Sequence, residues 1–204
     1  IGVRLVGSEM CIRDSIKAGF SDFYITVHYK ANDIKEFFGN GEKWDVKIQY
    51  IFENEPLGTA GSLGLLPKNL GNLPIIVMNG DVLSAIPLEK LLDFHDEQNN
   101  QATVCVREYD FQIPFGVVSL EGSKIKQIKE KPVHSFFVSA GIYVIDPLII
   151  KNIKPDISID MPNFLSDLIN SGAQLSAFPI HEYWMDIGRE EDFYQAQSDI
   201  INLD

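Results

Sequence analysis

From residue 16 onward, short runs of apolar, β-branched residues alternate with stretches whose apolar positions recur at helical spacing. Ile16–Gly19 reads as a helix end closed by glycine, and Asp22–His28 follows with the aromatic and β-branched content of a buried strand. Ala31–Phe38 reads as an amphipathic helix stopped by Gly39-Asn40-Gly41, and Val46–Ile51 alternates as a strand does. The spacing then predicts a helix over Thr59–Leu66, a wholly apolar strand over Pro74–Met78, a helix opened by Pro87 and running through His95, and a strand over Ala102–Val106. Strands separated by helices of this length favour right-handed crossovers. They predict an α/β domain with a mixed, mainly parallel central sheet and helices on both faces.

The rhythm changes after Pro114. Gly116–Leu120 and Lys124–Lys129, joined by Glu121-Gly122-Ser123, read as an antiparallel hairpin. A strand over Val138–Ile145, a helix over Pro162–Asn170 closed by Gly172, a strand over Gln174–Pro179, a short strand near Tyr183–Met185 and a helix from about Glu190 to Ile201 complete the pattern. No repeat or long polar linker divides residues 16–204, so one domain is expected there. Residues 1–15 (IGVRLVGSEMCIRDS) have none of the features of a secretory signal and resemble translated adaptor sequence. They are expected to be a non-native leader outside the fold, the alternative being a genuine strand or helix start.

Composition narrows the functional classes. The 29 acidic residues against 17 basic ones give a net charge of −12, which opposes contact with a polyphosphate backbone, so nucleic acid is not expected as a partner. No apolar run approaches the ~18 residues of a membrane span. Only Cys11 and Cys105 are present, which fits a reducing, cytoplasmic setting better than a disulfide framework. His28, His95, His134 and His181 have no metal-type spacing, and no nucleophile turn is present, which disfavours zinc and acyl-enzyme chemistry. Tyr109, Phe111, Phe115, Phe136 and Phe137 are expected to pack in the core or at its rim.

In an open α/β sheet, ligands sit outside the carboxyl ends of the strands, and five clusters fall there. Glu53 to Gly61 joins a strand to a helix through Gly58 and Gly61; its backbone amides could meet a nucleobase or phosphate, or it could be a tight turn with Thr59 capping the helix. Asn79-Gly80-Asp81 places a carboxylate after a buried strand, suited to a hard cation or to ordinary turn chemistry. Gly116 with Glu130-Lys131 offers a point positive charge for a phosphate, or only solvated surface. Ser139-Ala140-Gly141 interrupts a bulky strand with small residues, leaving room for a ligand ring or marking a bulge. Asp186 stands between large apolar neighbours, so a buried carboxylate there needs a cation or a partner such as Arg189.

Taken in order, Leu57-Gly58-Thr59-Ala60-Gly61, Asn79-Gly80-Asp81, Phe115-Gly116-Val117-Val118, Glu130-Lys131-Pro132, Ala140-Gly141-Ile142-Tyr143 and Trp184-Met185-Asp186-Ile187-Gly188 resemble the sugar-1-phosphate nucleotidylyltransferase family over nearly everything from Ile16 onward. The resemblance implies a Rossmann-like fold of the glycosyltransferase-A type. It implies nucleotidyl transfer from a nucleoside triphosphate to a sugar 1-phosphate, with release of pyrophosphate. The glycine loop looks closest to the guanylyltransferase branch that includes mannose and heptose 1-phosphate enzymes, which favours GTP. By the same resemblance Asp81 and Asp186 hold Mg²⁺ and Lys131 neutralises the sugar phosphate. Glu53, Leu57, Gly58, Thr59, Ala60, Asn79 and Gly80 contact the nucleotide, while Gly116, Glu130, Ser139, Ala140 and Gly141 contact the sugar phosphate. A homo-oligomer and an upstream regulatory domain are compatible with it.

Two departures stand out. Family members open with a glycine-rich stretch containing Gly-Thr-Arg and a following Lys-Pro, which do not stand ahead of Ile16 here. The domain is therefore expected to lack its first strand and signature loop, and the chain as it stands to be inactive. Ser139 occupies a position where relatives often carry asparagine, which leaves the sugar open. Competing readings are a non-catalytic paralogue that binds nucleotide sugars, a thymidylyl- or uridylyltransferase, and a glycosyltransferase, for which the Asp-X-Asp pattern is missing at Asn79-Gly80-Asp81.

Overall fold

The computed structural model describes residues 2–188 together with 192, 196 and 199, with side chains from residue 9 onward. The expected helix over Glu190–Ile201, and Arg189 with it, lies outside the described residues except for those three positions.

Four strands form the central sheet: β3 (Ile75–Met78), β5 (Ala102–Gln112), β8 (Val133–Ile145) and β9 (Leu175–Pro179), in the order β3-β8-β5-β9. β8 runs antiparallel to both its neighbours and β9 runs parallel to β5, so three of the four strands point the same way. Period-two alternation along β8 sends Tyr143 and Ile145 to one face and Ile142 and Val144 to the other. On the first face they meet Ile149 and Ile150 of α5 (Pro147–Ile150) and Met161, Phe164 and Leu165 of α6 (Met161–Asn170). On the second they meet Leu88 and Leu91 of α4 (Leu88–Glu97). Both faces are thus covered, as the apolar runs predicted. On the second face buried Thr103 and His95 satisfy each other, Nδ1 to Oγ1 at 2.9 Å, and burial pulls the His95 pKa down.

Two smaller parallel strands, β1 (Asp22–Val27) and β2 (Lys47–Phe52), form a separate pair, with α2 (Ala31–Phe38) connecting them and burying Phe38 beside Ile48. Helix α1 (Gly2–Lys17) is continuous through the segment expected to stand outside the fold. Ile12 and Ser15 are buried, and the Cys11 thiol donates to the Val82 carbonyl at 3.2 Å; burial pushes that thiol up to about 12.

Three departures from the sequence expectation matter. The helix expected over Thr59–Leu66 is a single turn, α3 (Gly58–Gly61), followed by a 3-10 turn over Ser62–Leu65, because Gly61 and Gly64 lie against the 153–159 backbone. An unexpected three-residue strand, β4 (Val82–Ser84), follows Asp81 and pairs with β10 (Trp184–Asp186). Finally, β5 extends to Gln112 and β8 starts at Val133, so the two strands continue beyond the core as an arm that leads into the hairpin β6 (Val117–Glu121) and β7 (Lys124–Lys129). Tyr109, Phe111, Phe115, Phe136 and Phe137, expected in the core or at its rim, are all at least half exposed on this arm and the loop beyond it.

Candidate active site

The geometry that matters is assembled by the shortest ladder in the molecule. β4 and β10 run antiparallel with Asp186 opposite Val82, and the Ile187 amide donates to the Asp81 carbonyl at 2.7 Å. Two carboxylates 105 positions apart in the chain therefore flank one turn. Alternation explains which side chains turn outward: Met185 and Ile187 pack with Leu83 in a small core, leaving Asp186 between them on the exposed side. The burial expected for Asp186 is not observed. Its pKa is nonetheless raised, first by partial desolvation and then by Asp81 and Asp192, while the Gly188 amide opposes the shift. A Cβ at Gly188 would stand 3.0 Å from Asp186 Oδ1.

The same turn is locked to β8. Opposite Cys105 the β5–β8 register slips, with Val104 facing Tyr143 and Val106 facing Ser139, so Ala140-Gly141-Ile142 bulges out. Gly141 takes φ +71°, which favours glycine, and its carbonyl accepts from the Asn79 amide at 2.8 Å. A Cβ there would sit 2.8 Å from Asn79 Nδ2. Trp184 Nε1 donates to the Ala140 carbonyl at 2.8 Å, and the Ser139 and Tyr143 hydroxyls pair at 2.8 Å. The expected residues Asn79, Asp81, Ala140, Gly141 and Asp186 thus form one constellation, with Ser139 at its margin.

The glycine loop is held from another side. Glu53 accepts from the Leu57 amide at 3.2 Å, and the Ala60 and Gly61 amides both donate to the Ile159 carbonyl. Gly58, at φ +72°, would place a Cβ 2.7 Å from Asp160 Oδ1. Thr59 does cap a helix, but α6 instead of its own: its hydroxyl accepts from the Met161 amide at 2.7 Å. The amides of Ala60 and Gly61 are therefore already engaged.

Glu130 and Lys131 stand apart from this constellation. Glu130 lies beside Gly116, where a Cβ would be 3.2 Å from its carboxylate, and both Glu130 and Lys131 are exposed. Lys131 takes φ 43°, and its carbonyl accepts from Gln112 Nε2 at 3.3 Å. Ten residues of chain separate it from Gly141, a contour of about 30 Å at the strand rise.

Sequence reasoning gave no role to Trp184, Gly188 or the 157–161 segment. A half-buried indole seeking an acceptor was the available signal for Trp184. The other two act through backbone groups, which leave no mark in a sequence. A concavity near α6, lined by Ile153, Ile157, Phe164 and Leu168 among others, holds none of the expected residues.

Among the described residues no group of three or more His, Cys, Asp or Glu side chains is placed to hold a metal ion, and no helix is long and apolar enough to cross a membrane. Two carboxylates are a donor set suited to a hard cation that completes its shell with water and phosphate oxygens. After partial desolvation, the neighbouring Asp81 charge raises the Asp186 pKa, and that repulsion is what such a cation relieves.

Fold and site define a Rossmann-like α/β domain with its ligand side at the strand ends. The chain belongs to the nucleotidyl transferase family, whose model matches residues 6–202. It is 34% identical over 188 residues to a mannose-1-phosphate guanyltransferase of Aspergillus fumigatus, covering 86% of this chain and 50% of the relative. It is 35% identical over 185 residues to that of Pichia angusta, with the same coverage. The chain thus spans about half the length of these curated relatives. Among solved structures, a protein assigned as a glucose-1-phosphate thymidylyltransferase from Bacillus anthracis, in complex with sucrose, superposes with a TM-score of 0.72 at 22% identity, covering 94% of this chain and 80% of that one. HddC from Yersinia pseudotuberculosis, complexed with GMP-PN, gives 0.70 at 22% identity, covering 95% and 84%. These two likenesses bear on the fold.

Proposed function

We propose that this chain is the core of an enzyme that transfers a nucleotidyl group from a nucleoside triphosphate, GTP in the favoured reading, to a sugar 1-phosphate, releasing pyrophosphate. One observation carries the proposal: Asp81 and Asp186 are brought to one turn by the β4–β10 ladder. The attacking group is already an anionic phosphate oxygen, so the obstacle is the approach of two anions in line. When bound, Mg²⁺ supplies charge neutralisation for both phosphates. The chain's own residues do the rest. Asp81 and Asp186 hold the cation, and Asn79 and the Gly141 bulge shape the floor between them. Gly58 and Thr59, with Glu53 bracing Leu57, border the nucleotide, and Glu130, Gly116 and Lys131, out on the arm, are assigned to the sugar phosphate. The guanine preference is supported by the names of the curated relatives.

We further propose a cytoplasmic setting, consistent with the free thiols of Cys11 and Cys105. The proposal also includes a native chain with another strand and a glycine-rich loop ahead of Ile16. Among the described residues β1 pairs only with β2 and β3 only with β8, so each has an open edge that a further strand could use.

The test is pyrophosphate release by a chain restored with the upstream segment, assayed with Mg²⁺, four nucleoside triphosphates and several sugar 1-phosphates. Asp81→Ala and Asp186→Ala should each lower turnover by about 10²-fold or more with circular dichroism unchanged. Full turnover in either variant rejects the metal assignment. Absence of release by the restored chain, with nucleotide sugar still bound, favours the non-catalytic paralogue.

A further inference from the structure

Behind the glycine loop lies a cleft of about 460 Å³, between the end of α5, the 152–159 connection and α6. Ile149, Ile153 and Phe164, at 7–8% exposure, form its floor, and Ile157 and Leu168 are its apolar sides. The rim is of another kind. Gln101, Asn152 and Lys154 stand there, all exposed, and no acidic residue lines the cleft. Gln101 spends its side-chain oxygen on the Gln174 amide at 3.1 Å, which leaves Nε2 as a donor. Among the described residues the ion pairs belong to Arg13, Lys17 and Lys126, and Lys154 makes none.

A cleft of this size, apolar within and polar at one edge, has the make-up of a small-molecule site. Charge selects the ligand. In a chain of net −12, a lining that has no carboxylate and one unpaired lysine complements an anion, while the floor suits a ring or a short aliphatic chain. The wall of the cleft is also the back of the glycine loop. The Ile159 carbonyl accepts from the Ala60 and Gly61 amides at 2.9 and 3.0 Å, and the Ile159 amide donates to the Leu57 carbonyl at 2.8 Å. Gly61 and Gly64 press on the Ile157 and Lys154 carbonyls, where neither has room for a Cβ. Backbone packed on backbone, with no side chain between, passes a displacement of one on to the other.

We propose that this cleft is a second ligand site, taking a small amphipathic anion whose apolar body lies on Ile153 and Phe164 and whose acidic group pairs with Lys154. Its occupancy alters nucleotide affinity through the 153–159 backbone. The site itself owes nothing to the catalytic reading. Only the coupling rests on that reading, and linkage makes the coupling reciprocal, so the nucleotide changes the affinity for the anion by the same factor.

The probe is 8-anilinonaphthalene-1-sulfonate, which joins an aromatic body to one anionic group, titrated by fluorescence against the 204-residue chain. A saturable site with a Kd of about 10–100 µM is expected. Lys154→Met, which keeps the stem and removes the charge, should weaken it about 10-fold. Ile157→Glu, at a position 44% exposed, should weaken it about 10-fold or more with circular dichroism unchanged. Phe136→Ser, out on the arm, should leave it as it was. GTP binding, followed by equilibrium dialysis with Mg²⁺, should shift by about 5-fold between zero and saturating probe in the wild-type chain, and not in Ile157→Glu. Absence of probe binding overturns the site, as does binding that survives both cleft variants or is lost in Phe136→Ser. A GTP affinity that the probe leaves unchanged, or shifts equally in Ile157→Glu, overturns the coupling and leaves the catalytic reading standing. No GTP binding beside an intact probe site overturns the coupling and the nucleotide reading together.

Discussion

β5 and β8 pass through two environments without ceasing to pair. Over Ala102–Cys105 and Ala140–Ile145 they lie between two helix layers and are almost wholly buried; over Glu108–Gln112 and Val133–Phe137 the same ladder runs on with both faces in solvent. Backbone pairing is common to both stretches, so it cannot be what distinguishes them. The difference is what covers the faces, and a residue's energetic weight should follow its place along the strand more than its type.

The sharpest way to break this contrast is to delete apolar side chains at either end of β8. Ile142→Ala, at 0% exposure, should cost about 2–5 kcal/mol in urea unfolding, whereas Phe136→Ala, at 56%, should change a dilute monomer by no more than about 0.5 kcal/mol. Comparable losses would mean that the arm is covered even in the monomer. Glycines sharpen the contrast next. Gly141→Ala, at φ +71° and against Asn79 and Val82, should cost about 2–3 kcal/mol. Gly122→Ala, at φ +58° with nothing within 4 Å, should cost about 1 kcal/mol, from the backbone alone. Trp184→Phe should cost about 1–2 kcal/mol by leaving the Ala140 carbonyl without its donor, and hydrogen exchange should report it as faster exchange at the Asn79 amide.

The smallest effect has the opposite sign. The folded state holds a proton on Asp186 more tightly than the unfolded chain does, so its ionisation lowers stability as pH rises through the window just above its ordinary value of 3.8. Asp186→Asn should therefore raise the Tm at pH 7 by about 1–2 °C, a figure discounted for exposure. The gain should narrow as pH falls towards 4. A lower Tm at pH 7 would show that the carboxylate is satisfied by a group other than its acidic neighbours.

Much of the fold could be read locally. Ile75–Met78 announces a half-buried strand by its apolar run, Gly172 stops α6, and Glu121-Gly122-Ser123 turns the hairpin. The arm was harder to read. The alternation Glu108-Tyr109-Asp110-Phe111-Gln112 is a strand pattern, but aromatic residues in it suggested core packing, and nothing local says that no layer of this chain covers them. β4 was invisible for a different reason: three residues carry no period, and Val82–Ser84 becomes a strand only because Trp184–Asp186 lies beside it.

By itself, the sequence determined the order of the elements, the faces they bury and the acidic residues that follow the strands, because periodicity and turn chemistry act over a few residues. Tertiary structure alone decided that Asp81 and Asp186 share a turn, that the Thr59 hydroxyl and the Ala60 and Gly61 amides are spent on the 159–161 backbone, and that Lys131 sits out on an arm. Those outcomes depend on which backbone groups meet across a hundred residues, and a backbone amide has the same chemistry whatever side chain it carries.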